Sequence, residues 1–68
     1  MTQQPGEFAS KVKALREQLG ISQEDLAKEL GVSFATVNRW ENAKTQPSRL
    51  AKNQFERFYL EQQRQGLL

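Results

Sequence analysis

Residues 21–42, Ile-Ser-Gln-Glu-Asp-Leu-Ala-Lys-Glu-Leu-Gly-Val-Ser-Phe-Ala-Thr-Val-Asn-Arg-Trp-Glu-Asn, carry two short helical patterns separated only by Gly31, Val32 and Ser33. In the first pattern Leu26, Ala27 and Leu30 form an inward stripe about two turns long. Ser22 precedes it and Asp25 follows three residues later, a capping box built with the shorter acid. Gly31 comes directly after the last apolar residue, where glycine enters a left-handed backbone without a Cβ clash. Ser33 is placed to cap the second helix, Phe34 to Glu41, in which Val37 and Trp40 share one side. So short a connection makes the helices cross steeply instead of lying antiparallel. Small Ala27 allows close approach, and Val32 plugs the corner. An ordinary helical hairpin shows the same periodicity; the joint placement of Ala27, Gly31, Val37 and Trp40 around the turn distinguishes this one.

The rest of the chain adds two helices. Phe8, Val12, Leu15 and Leu19 repeat with a period of about 3.6, and Gly20 closes that helix. Ala43 to Pro47 is a polar connection, and Pro47 suits a stop followed by a new start. Leu50, Ala51, Phe55, Phe58 and Tyr59 mark a last amphipathic helix. The expected fold is all-α, four helices at about 7–18, 23–30, 34–41 and 48–63, and no strand. Residues 1–6 read as a flexible arm, 7–63 as the domain, and 64–68 as a short apolar tail.

Composition narrows the function classes. Sixty-eight residues make one domain, near the lower limit at which an apolar core alone sustains a fold. The absence of Cys and His removes disulfides, thiol nucleophiles, the commonest general base and most zinc sites. No Gly-rich phosphate loop is present. Glu24, Asp25 and Glu29 have the spacing of a solvated acidic face. Catalysis, a metal and a cofactor are therefore not expected. No apolar run reaches membrane-spanning length, and Met1–Gly6 lacks the regions of a secretory signal. Ten Lys/Arg against eight Asp/Glu give a net charge of +2, which permits nucleic-acid binding without demanding it.

With its elements placed, the chain resembles the lambda-repressor-like helix-turn-helix domains of the XRE (Cro-repressor-like) family over about Val12 to Leu50. The matching residues are Leu15-Arg16, Leu19-Gly20-Ile21-Ser22-Gln23, Leu26-Ala27, Leu30-Gly31-Val32-Ser33, Val37, Trp40-Glu41-Asn42 and Lys44-Thr45-Gln46-Pro47-Ser48. The combination is specific where a lone Leu-Ala or Gly-Val-Ser is not. Ala43 stands where the family usually has Gly, which implies a less left-handed turn. The family also commonly carries a fifth, dimerising helix, and here only Gln62 to Leu68 follows the fourth.

The resemblance implies double-stranded DNA as partner, with the helix from Phe34 to Glu41 in the major groove and base edges read from Phe34, Ala35, Asn38 and Arg39. Arg39 suits guanine O6/N7 and Asn38 suits adenine N6/N7; phosphate contact or solvation is the alternative for each. Phe34 and Ala35 are apolar where many relatives are polar, so they meet thymine methyls, or Phe34 folds back onto the core. Gln23, in the first turn of its helix, matches a glutamine that clamps phosphate in the family, helix capping being its alternative role. Ser33, Thr36, Asn42, Lys44 and Thr45 are further phosphate candidates, and Lys13 a weaker one. Arg16 and Glu41 match a family ion pair that ties the first helix to the end of the reading helix.

The implied function is a cytoplasmic, nucleoid-associated transcriptional regulator, such as a repressor, of prokaryotic or phage type. A homodimer through the last helix and tail is expected, with Phe55, Phe58, Tyr59, Leu60, Leu67 and Leu68 as candidate contacts, unless Phe55 and Phe58 complete the core. Two alternatives stand beside this reading. One is an antitoxin-like or adaptor module whose groove face binds protein; the other is a DNA-targeting module of a larger nucleic-acid enzyme system.

Overall fold

Four helices follow in order in the computed structural model, which describes residues 5–68: α1 (Pro5–Leu19), α2 (Gln23–Leu30), α3 (Phe34–Glu41) and α4 (Arg49–Arg64). No strand occurs among the described residues. α1 begins at Pro5, two residues before the expected start at residue 7. Proline has a φ fixed for the first helical turn and no N–H to leave unpaired there, so Pro5 and Gly6 belong to the helix and not to an arm. Residues 1–4 of the expected arm lie outside the described residues. Ser48 is the cap of α4 and not its first residue: its Oγ accepts the Ala51 N–H at 3.1 Å.

The starts of α2 and α3 follow from their serines. Ser22 Oγ accepts the Asp25 N–H at 3.0 Å, and the Asp25 carboxylate accepts the Ser22 N–H at 3.3 Å, completing the capping box. Ser33 Oγ accepts the Thr36 N–H at 3.1 Å.

All four helices end in one pattern. Gly20, Gly31, Ala43 and Gly66 have left-handed φ values of 68°, 73°, 57° and 77°. The N–H of each returns to the carbonyl three residues back, and the next N–H to the carbonyl five back of its own position. At α3 these bonds are Ala43 to Trp40 at 3.0 Å and Lys44 to Arg39 at 3.1 Å. This closure satisfies carbonyls that the helix leaves open, and it requires a left-handed residue. Ala43 adopts that conformation despite its Cβ, so the expectation of a less left-handed turn is corrected. The two hydrogen bonds outweigh the local strain.

The core gathers one face from every helix. Phe8, Val12 and Leu15 of α1 meet Leu26, Ala27 and Leu30 of α2, Val37 and Trp40 of α3, and Phe55 of α4. Phe8 joins the far sides, its ring lying 5.3 Å from both Trp40 and Phe55 in edge-on geometry. Ile21 and Val32 pack on this cluster from the two short connections. On α4 the inward stripe is Ala51, Phe55, Phe58 and Tyr59. Leu50, expected on that stripe, is one residue out of phase and 70% exposed. Lys11 Nζ lies 3.0 Å from the Glu56 carboxylate and 4.7 Å from the Tyr59 ring centre, joining α1 to α4 at the surface. Leu68 folds back onto the core, while Leu60 and Leu67 stay exposed. No helix among the described residues is long and apolar enough to cross a membrane.

Candidate functional site

The second helix of the turn has two unlike faces. Val37 is fully buried and Trp40 nearly so, which fixes α3 against α1 and α2. Ala35, Arg39 and Asn42 point away from that anchor and are exposed, with Asn38 half-buried beside them. Phe34 is 50% exposed and is not one of the buried residues of the core. A short helix held by one apolar face and offering amide, guanidinium and small apolar groups on the other has the form of an insert for a groove.

A chain of side-chain hydrogen bonds runs from α1 to this face. Arg16 Nε donates to Glu41 Oε2 at 2.8 Å and Arg16 Nη2 to Glu41 Oε1 at 3.0 Å, a bidentate pair. Arg16 Nη1 also donates to the Ile21 carbonyl at 3.3 Å, tying α1 to the start of the turn segment. Glu41 Oε1 accepts from Gln23 Nε2 at 3.0 Å. Gln23 Oε1 accepts from Asn38 Nδ2 at 3.2 Å, and Asn38 Oδ1 from Asn42 Nδ2 at 3.1 Å. Only 5% of the Glu41 side chain and 19% of the Arg16 side chain is exposed, so removing either partner would leave the other charge poorly solvated, which makes the pair costly to break.

Electrostatics agree with this geometry. Burial pushes the Glu41 carboxyl up, but hydrogen bonds from Arg16 and Gln23, with the charges of Arg16 and Lys13, hold it below the usual carboxylate range. The hydrogen bond to Glu41 raises Arg16 in turn, against the opposing effect of its own burial. Lys13 is exposed on α1.

The remaining candidates divide by place. Ser33 and Thr36 are joined at the start of α3, their hydroxyls 2.9 Å apart. Lys44 and Thr45 are exposed on the connection after α3. Gln23 takes no part in capping α2, which Ser22 and Asp25 accomplish; its amide is engaged with Glu41 and Asn38. The links through Gln23 and Asn38 were not read from the sequence. Asn38 and Asn42 are one helical turn apart, a spacing at which side chains meet, so that link was legible. The Gln23–Asn38 link depends on how two helices cross and left no local signal.

Away from α3, surface grooves of about 340 and 540 Å³ meet at Phe58 between α2 and α4. No α3 residue lines either one.

A sequence model of a helix-turn-helix family matches residues 12–50, which include the whole of α2, α3 and their turn. Comparison with curated proteins and with solved structures gives no match.

Proposed function

Since the chain belongs to the XRE, lambda-repressor-like helix-turn-helix family of DNA-binding proteins, we propose that it is a sequence-specific regulator of transcription that reads duplex DNA with α3. The observation that carries this reading is the outward face of α3, where Ala35, Asn38, Arg39 and Asn42 project from a helix anchored through Val37 and Trp40. Arg39 offers a bidentate pair to guanine, Asn38 a donor and acceptor to adenine, and Ala35 and Phe34 apolar contact for thymine methyls.

Phosphate positioning falls to groups around α3: Ser33 and Thr36 at its start, and Asn42, Lys44 and Thr45 at its end, with Lys13 beside them. At Gln23 the contact is made by the backbone N–H in the first turn of α2, where the helix leaves donors open. The acidic side chains Glu24 and Glu29 are exposed on α2 and suit the side away from phosphate.

One such domain covers few base pairs, so a symmetric dimer on half-sites about 34–36 Å apart supplies the specificity. Phe55 is fully buried and is withdrawn from the dimer surface. Leu60, Leu67 and the half-buried Phe58 remain. The setting that fits such a regulator is the nucleoid of a prokaryotic cell or a phage-encoded system.

Salt dependence of binding is the test. A reader that neutralises phosphates loses affinity steeply as salt rises, and affinity for a selected duplex should drop by orders of magnitude between 50 and 200 mM salt, a range over which contact with six to ten phosphates costs about 10³–10⁵. Half-exposed Phe34 beside Ala35 favours a second reading, docking of α3 on a protein. That reading predicts no duplex binding and an association that weakens little with salt.

A further inference from the structure

The hydrogen-bond chain that reaches Asn38 has a direction. An ionised carboxylate only accepts hydrogen bonds, and the hydrogen bonds and charges around Glu41 favour its ionised form. Gln23 must therefore turn its NH₂ toward Glu41, which leaves its carbonyl oxygen facing Asn38. Only the NH₂ of Asn38 can answer a carbonyl, so Asn38 Oδ1 turns toward the Asn42 amide. An asparagine on a free helix face rotates between two amide orientations of similar energy, and each offers a base edge the opposite donor and acceptor order. Here the carboxylate, two hydrogen bonds away, selects one order. Asn38 keeps one N–H and one carbonyl lone pair unused in that orientation, the two kinds of group with which asparagine meets adenine N7 and N6.

We propose that Gln23 is a specificity-positioning residue: it transmits the polarity of the Arg16–Glu41 ion pair to Asn38 and so fixes the donor and acceptor order that Asn38 presents to a base. The proposal rests on the reading of α3 as the DNA-reading helix. It differs from a phosphate-clamping role for the Gln23 side chain in what it affects. A clamp serves every sequence alike, whereas an oriented amide serves one base pair.

Two variants separate the roles. Gln23→Met keeps the length of the side chain and removes both bonds. Gln23→Lys keeps a donor for Glu41, has no acceptor for Asn38, and adds a positive charge.

The first measurement uses free protein. The side-chain NH₂ signals of Asn38, assigned in a ¹⁵N-labelled sample, should shift in both variants. The second is the affinity ratio between the selected duplex and duplexes changed at single base pairs. Asn38→Ala identifies the base pair that Asn38 reads. At that pair Gln23→Met should lower the ratio about tenfold, within the range for one bidentate contact. Affinity for unrelated duplex should change less than about twofold, the phosphate contacts being intact. Gln23→Lys should lower the same ratio even where its charge raises overall affinity, and Gln23→Met should lower nothing further in an Asn38→Ala background.

Asn38 signals that stay in place in both variants overturn the relay and leave the DNA-reading function standing. An equal loss for all duplexes in Gln23→Met, with tighter binding in Gln23→Lys, overturns it in favour of a clamp. Signals that shift while Asn38→Ala alters no ratio refute Asn38 as a reader, and the proposal with it.

Discussion

Ala43→Gly should make this protein more stable, although it removes a methyl group and adds freedom to the unfolded chain. Ala43 sits at φ 57°, where an L-residue with a Cβ carries about 1–2 kcal/mol of strain. Glycine removes that strain but loses more backbone entropy on folding, about 0.5–1 kcal/mol relative to alanine. Ala43 is exposed, so its methyl contributes little packing. The balance is a gain of about 0.5–1 kcal/mol. For a domain of this size that raises the melting temperature by roughly 2–8 °C. Gly31→Ala is the mirror experiment. At φ 73° a Cβ on Gly31 would meet no atom within 4 Å, so its cost is conformational alone, and the same two terms give about 0.5–1 kcal/mol of destabilisation. Thermal and urea melts of both variants, with unchanged urea slope, measure the pair. An Ala43→Gly protein that melts at or below the parent temperature would refute the argument that the α3 closure forces strain on Ala43.

Arg16→Ala leaves the Glu41 carboxylate buried with Gln23 as its remaining donor, and should cost about 3 kcal/mol in a urea melt. Because the folded Glu41 lies below the ordinary value of 4.5, its contribution is present above that value and lost as pH falls through the lower folded one. Acid melts should accordingly bring the wild type and Glu41→Gln closer together below about pH 4.5, their gap remaining constant at neutral pH. Phe55→Ala should cost about 3–5 kcal/mol, a large part of the roughly 3–10 kcal/mol available to a chain of this length, so circular dichroism should find it largely unfolded at 37 °C. Leu60→Ser with Leu67→Ser should convert a dimer into monomers in sedimentation and leave the melting temperature of the monomer within about 2 °C, as surface changes do.

Much of this fold was legible because its signals are local. Ser22 with Asp25, Gly31 and Ser33 fix the ends of α2 and α3 within a few residues of themselves, and Val37 with Trp40 mark the buried side of α3 by spacing alone. Where local signals compete, the outcome depended on the packed molecule. Leu50 fits the apolar period of α4 loosely, and only the docking of Phe55 against Phe8 shows that the inward stripe passes it by. Ala43 has no left-handed preference of its own; the need to satisfy the carbonyls of Arg39 and Trp40 imposes one. At the site, the family pattern pointed to Arg16 with Glu41, and the exposure of Phe34 needed the structure to decide. The bonds from Glu41 through Gln23 to Asn38 lay beyond sequence reading, because polar side chains on two helices meet only when the crossing of those helices is known.

Selection of bound sites from a random duplex library, with the wild type and Arg39→Ala in parallel, tests the central claim most directly. The account predicts that the wild type recovers one motif, repeated as two half-sites about 10 base pairs apart. Arg39→Ala should recover the same motif with its preference for guanine relaxed at one position of each half-site. No enriched motif for the wild type, or an identical motif with undiminished guanine preference for Arg39→Ala, would contradict the assignment of α3 as the reading helix or of Arg39 as its reader.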